Sequence, residues 1–101
     1  DKIVLVIDDD GYVQGLNFVF GVTKIGGSLA MVFTKRLRGE QTLYHTRILK
    51  EVLHELGHSF GLDHCPNPRC VMYFSNTITD TDRKGPGFCE KCITKLHTLI
   101  R

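Results

Sequence analysis

The segment HELGHSFGLDH, residues 54–64, carries the residue types and spacing that metal chemistry needs. His54 and His58 are four apart, which on a helix puts them on one face a turn apart. Two imidazoles so placed can grip a single zinc ion. A third ligand cannot come from that same face, so the chain must turn back toward the metal. Gly61 permits such a turn without steric cost, and His64 returns a third imidazole. Three protein ligands leave the fourth position of a tetrahedral zinc open to water, whose pKa the metal lowers toward ~7. Glu55 is adjacent to His54 and is not needed as a ligand. Its carboxylate can take the water's proton and pass it to a leaving amine, while the zinc polarises the scissile carbonyl and steadies the oxyanion. A bare HExxH arises by chance fairly often. Here five positions (His54, Glu55, His58, Gly61 and His64) are fixed together, and they point to hydrolysis of a peptide bond.

The four cysteines form a second set. Cys65 and Cys70 are one short-spaced pair, Cys89 and Cys92 another, with a longer loop between. Two such pairs are the usual plan of a four-thiolate structural zinc site, each short loop giving two thiolates one bite on the metal. Disulfides are the other reading. Bridges within either pair would close very small loops and stabilise little, and cross-pair bridges require an oxidising compartment. The structural zinc is preferred, so the expected cofactors are two zinc ions, one catalytic and one structural. Cys65 follows His64 directly, which makes the two sites near neighbours.

The elements that must position these residues are legible in outline. Residues 3–7 (IVLVI) are a continuous β-branched run that reads as an internal strand, parallel and buried on both faces. Asp8, Asp9, Asp10 and Gly11 end it in a solvated loop. Residues 17–22 (NFVFGV) and 28–34 (SLAMVFT) read as two further strands, joined as a hairpin through Gly26 and Gly27. From about Leu43 the period becomes helical: Ile48, Val52, Leu56 and Phe60 fall four apart, with Leu49 and Leu53 beside them. At 100° per residue the histidines lie on the face opposite Val52 and Leu56. The apolar stripe is therefore expected to pack on the sheet while the histidines open onto a cleft. Gly61 is where the helix should stop. Loops are expected from there to Cys92, and a short helix over residues 93–101.

Size and composition set limits. With 101 residues there is room for one small domain, and 42% apolar content supports a modest core. Thirteen basic against 11 acidic side chains give a net charge of +2, with no basic block. That argues against nucleic acid or an acidic membrane as partner, and no apolar run approaches the ~20 residues needed to span a bilayer. His45 and His97 read as surface histidines, Tyr73 as packing, and Lys24, Lys35, Arg36 and Arg38 as a solvated rim. Oligomeric state and substrate identity are not encoded in any motif.

Together the motifs read HExxHxxGxxHC, four residues, CxM, a spacer and CxxC. The HExxHxxGxxH part with a downstream methionine matches the metzincin signature, and the whole closely resembles the archaemetzincin family of zinc peptidases from His54 to Cys92. The NFVFG segment and Lys35-Arg36-Leu37 are similar to that family's upstream region. The resemblance implies an α+β, metzincin-like (zincin) fold with a twisted mixed sheet over an active-site helix and a small irregular, zinc-stabilised C-terminal part. One catalytic domain is expected over residues 1–101, with the sheet and helix in 1–61 and the Met-turn and cysteine site in 62–101. An upstream strand–helix–strand region is expected to be missing. Met72 becomes the Met-turn residue, an apolar floor under the zinc. Asn17, Phe18, Val19, Phe20 and Gly21 become the sheet edge that an extended peptide or protein substrate pairs with. The resemblance also implies a soluble, cytoplasmic protein, and Glu55 with the open fourth zinc position makes the first reading an active zinc peptidase acting on short peptides or as an aminopeptidase. The alternative is a catalytically idle peptide-binding module on the same scaffold.

Overall fold

Helix α1 (Gln41–Phe60) is the element around which the rest is arranged. A computed structural model describes residues 1–100. The helix begins two residues earlier than its apolar pattern because Glu40 caps it. The Glu40 carboxylate accepts from the backbone N–H groups of Thr42 at 3.0 Å and Leu43 at 3.1 Å, filling two of the donors a helix start leaves open. It ends as expected at Gly61, whose φ of 113° only glycine adopts at low cost.

Strands β1 (Ile3–Ile7), β2 (Gly21–Thr23) and β3 (Leu29–Phe33) form one mixed sheet in the order β1-β3-β2. The hairpin β2–β3 is antiparallel and β1 runs parallel to β3, so the mixed α+β architecture is as expected. Two strand details differ. β1 is an edge strand, not an internal one, with Ile3, Leu5 and Val6 about half exposed. The apolar run marked a strand correctly, but α1 packs over β3 and β2, and the fully buried sheet residues are Ala30 and Val32 of β3. The second strand covers only residues 21–23. Before it, Val19 makes a single bridge to Gly11, and Val19 and Phe20 are both buried. Residues 17–20 make no continuous ladder with β3 and run as an irregular segment, with Phe18 edge-on to Phe20 and Asn17 exposed.

The orientation of α1 also departs from its apolar stripe. Ile48 and Val52 pack toward the sheet with Phe20, Val32 and Leu37, and Leu53 turns to the second half of the chain. Leu49 and Phe60, however, are exposed. The most buried face of α1 is polar: Arg47, Lys50, Glu51, His54, Glu55 and His58. The reason is the chain after Gly61, which wraps over that face instead of leaving it open. It contains a helix that the loop-like sequence hid, α2 (Ile78–Arg83), started by the Asp80 carboxylate accepting from the N–H groups of Asn76 and Thr77. Arg47 grips α2 through a bidentate pair with Asp82, both contacts 2.8 Å, and Lys50 donates to the carbonyls of Thr81 and Asp82. The final helix α3 (Glu90–Leu99) starts three residues earlier than expected, directly after Cys89. Leu62, Val71, Met72 and three of the four cysteines form the small core of this half, with Leu53 of α1 and Leu96 of α3 against it.

Candidate active site and metal centres

His54, His58 and His64 meet over the C-terminal half of α1. One ring nitrogen of each lies within 4.8 Å of the others. The first two come from successive helical turns, and the left-handed turn at Gly61 brings His64 back so that its ring centroid is 4.6 Å from His58 and 5.2 Å from His54. Carbonyl groups fix the orientation of the two helical rings. His54 Nδ1 is 2.7 Å from the Val71 carbonyl and His58 Nδ1 is 2.7 Å from the Leu62 carbonyl. A carbonyl only accepts, so Nδ1 carries the proton in each neutral ring and Nε2 presents a lone pair. Those two Nε2 atoms face each other at 3.1 Å. Burial pushes the pKa of His54 well below the ordinary 6.5 and lowers those of His58 and His64 too, so all three rings favour the neutral form. Buried lone pairs aimed at one another call for a cation between them. Zinc–nitrogen bonds of about 2.1 Å in tetrahedral geometry place two nitrogens about 3.4 Å apart, near the spacing found.

Glu55 lies beside this cluster on the sheet-facing side of α1. It is 3% exposed. Burial raises its carboxyl to about 7, against the opposing effect of Thr23, whose hydroxyl donates to Glu55 Oε1 at 2.5 Å. Gly21 leaves the space that the rest of the carboxylate occupies: a Cβ there would come within 2.6 Å of Glu55 Oε2. The cleft in front of these residues encloses about 170 Å³. The three histidines, Glu55 and β2 line one part of it, and Val13, Leu16 and Phe74 give it an apolar wall. Of the expected sheet-edge residues, Val19, Phe20 and Gly21 reach this cleft, while Asn17 and Phe18 border a neighbouring depression. Met72 is fully buried with its sulfur packed against Gly57, the residue before His58.

The cysteines form a second cluster, all four sulfurs within 4.8 Å of one another. They are free thiols. Cys65 and Cys89 are 3.8 Å apart and Cys70 and Cys92 3.7 Å, close to the ~3.8 Å edge of a tetrahedron with zinc–sulfur bonds of about 2.3 Å. The backbone N–H of Cys92 draws the Cys89 thiol down to about 7, whereas burial raises Cys70 and Cys92.

Several site residues have no motif to announce them. Thr23 and Gly21 reach Glu55 only through the sheet. Beneath the site lies a buried ion pair: Lys84 Nζ is 3.2 Å from Glu51 Oε2 and donates to the Tyr73 carbonyl at 3.0 Å. Thr81 donates to the same carboxylate at 3.0 Å. The pair ties the loop after Met72, which supplies Phe74 and Ser75 to the cleft, to the middle of α1. Glu51 stands one turn before Glu55, a spacing that offered the only sequence clue. His45 and His97 are exposed and outside both clusters.

The sequence matches the family model for Peptidase family M54 over residues 2–98. It is 53% identical over 97 residues to the archaemetzincin of Pyrobaculum aerophilum, covering 96% of this chain and 61% of the relative. Against the archaemetzincin of Aeropyrum pernix it is 52% identical over 96 residues, covering 94% of this chain and 52% of the relative. The crystal structure of an archaemetzincin from Methanopyrus kandleri superposes with a TM-score of 0.97 at 44% identity, over 99% of this chain and 56% of that one. The chain thus spans between half and two thirds of the length of these relatives.

Proposed function

This chain belongs to peptidase family M54, the archaemetzincins, and on that premise we propose that it is the catalytic part of a zinc metallopeptidase that hydrolyses peptide bonds with Glu55 as general base. The observation that carries the reading is the pair of unprotonated, carbonyl-fixed Nε2 atoms facing each other beside a buried carboxylate. His54, His58 and His64 hold the catalytic ion. When bound, zinc supplies Lewis acidity at this point, polarising a carbonyl and acidifying water. Glu55, buried beside the three histidines, takes the water's proton and returns it to the leaving amine. β2 is the edge of the sheet on the cleft side. An extended peptide adds there as a further strand, with an apolar side chain against Val13, Leu16 and Phe74. Cys65, Cys70, Cys89 and Cys92 hold a second, structural zinc that fixes residues 62–100, and thiolate ligation fits a reducing compartment such as the cytoplasm. Short peptides or free N-termini are the substrates of choice.

The test is Glu55→Ala beside the wild type, assayed for zinc per chain and for turnover of a quenched-peptide library. Unchanged zinc with turnover reduced by about 100-fold or more is expected. Undiminished turnover in the variant contradicts the mechanism. Full zinc with no turnover in the wild type itself favours the idle binding module.

A further inference from the structure

We propose that Thr23 and Gly21 of β2 are positioning residues that set the aim of the Glu55 carboxylate; the inference rests on the reading of Glu55 as the base. Residues two apart on a strand share a face, and both of these face α1 at Glu55. Thr23 donates its hydroxyl proton to Oε1 at 2.5 Å. Gly21 meets the other side: a Cβ there would lie 2.6 Å from Oε2 and 2.8 Å from Cδ and Cγ. The carboxylate is therefore laid across the strand, one oxygen held and the other in the gap that glycine provides. A carboxylate with one oxygen engaged offers the other to the proton it must collect.

The strand is a firm support for this. Gly21 pairs with Val32 and Thr23 with Ala30 on β3, both fully buried. The hairpin turn is itself tied to the end of α1. Gly26 N–H donates to the His58 carbonyl at 2.8 Å, Ser59 donates to the Gly27 carbonyl at 2.5 Å, and Lys2 donates to the Ser59 carbonyl at 2.7 Å. The hairpin turn thus ties β2 to the end of α1, and pairing with β3 holds the rest of the strand, so a bulkier residue at position 21 must displace the Glu55 side chain. The same edge is the one a peptide strand would join, which couples substrate docking to the element that aims the base.

The experiment compares zinc-loaded wild type, Thr23→Val, Thr23→Ser and Gly21→Ala, with a quenched fluorogenic peptide as probe. Thr23→Val keeps the shape and removes the hydroxyl. Its kcat is expected to fall by about 10- to 100-fold, with KM within about twofold, zinc per chain unchanged, and most of kcat restored in Thr23→Ser. Gly21→Ala is expected to lower kcat by a similar factor with zinc retained. Wild-type kcat in Thr23→Val, or a loss that Thr23→Ser does not recover, overturns the proposal. If the wild type shows no Glu55-dependent turnover, the peptidase reading fails, and crystal structures of zinc-loaded wild type and Thr23→Val still decide the brace. A Glu55 carboxylate on Thr23 in the wild type and swung away in the variant upholds it; one turned from Thr23 in the wild type overturns it.

Discussion

His54 and His58 each have one ring nitrogen committed to a protein carbonyl and the other turned toward the histidine cluster. The carbonyls of Val71 and Leu62 hold Nδ1 of His54 and His58, a partnership that fixes ring orientation and strengthens the ligand. The pH response follows. Burial depresses all three imidazole pKa values, so below the ordinary value of 6.5 the unfolded chain binds protons that the folded chain refuses, and metal-free stability falls as pH drops. Glu55 acts in the opposite sense. Raised from 4.5 to about 7, it keeps a proton in the folded state that the unfolded state releases, and between those values it favours folding as pH falls. With metal present, protons compete directly for the imidazoles. Metal bound at pH 8 is therefore expected to leave by about pH 5, measured by equilibrium dialysis and elemental analysis; retention at the histidine site at that pH contradicts the assignment. The buried pair makes a second prediction. Lys84→Met leaves Glu51 buried without its cation and is expected to cost about 3–5 kcal/mol in denaturant titration, whereas Lys84→Met with Glu51→Leu recovers most of it. Equal losses in the single and double variants would contradict this. The three histidines were legible in the sequence because they cluster in 11 residues. Thr23, Gly21 and Lys84 were not, because each meets α1 from about 30 residues away in the chain.

At the scale of elements, the helix was readable and its facing was not. Glycine at 61 marked the C-terminus and the apolar period marked the body. The period alone assigned the apolar stripe to the core, yet Leu49 and Phe60 are exposed while Arg47, Lys50 and Glu51 are buried. A stripe reveals which residues share a face, not which neighbour arrives; here α2 brings Asp82 and backbone carbonyls that satisfy the cations. Likewise IVLVI identified β1 but not its rank in the sheet, since β-branched runs occur at edges and centres alike. The end of α1 also shapes the histidine cluster, because its left-handed turn returns His64 to His58. Gly61→Ala must place a Cβ at φ 113° and 3.2 Å from Leu99. The expected cost is about 1–2 kcal/mol in folding stability, together with weaker zinc binding. A variant as stable as wild type with unchanged zinc affinity would show that the turn is not needed to deliver His64.

Across the whole molecule, the histidine cluster joins two halves, and the cysteine cluster begins at the next residue, inside the second half. The sheet and α1 supply Glu55, two histidines and the cleft edge. Residues 61–100 supply His64, Met72 and the four cysteines. Among the described residues no helix is long and apolar enough to cross a membrane. Three of the cysteines lie inside the second half's small core, so a metal held there would act as its main cross-link. Removing it should loosen the shelf beneath His54, because Val71 lies between Cys70 and Met72. The most direct measurement of this account is zinc per chain by elemental analysis, on protein purified without chelators, for wild type, Cys89→Ser and His58→Ala. The account predicts two zinc ions in the wild type and about one in each variant, the ion that remains being the one at the untouched cluster. One zinc in both the wild type and Cys89→Ser would contradict the structural metal site, and no loss in His58→Ala would contradict the catalytic one.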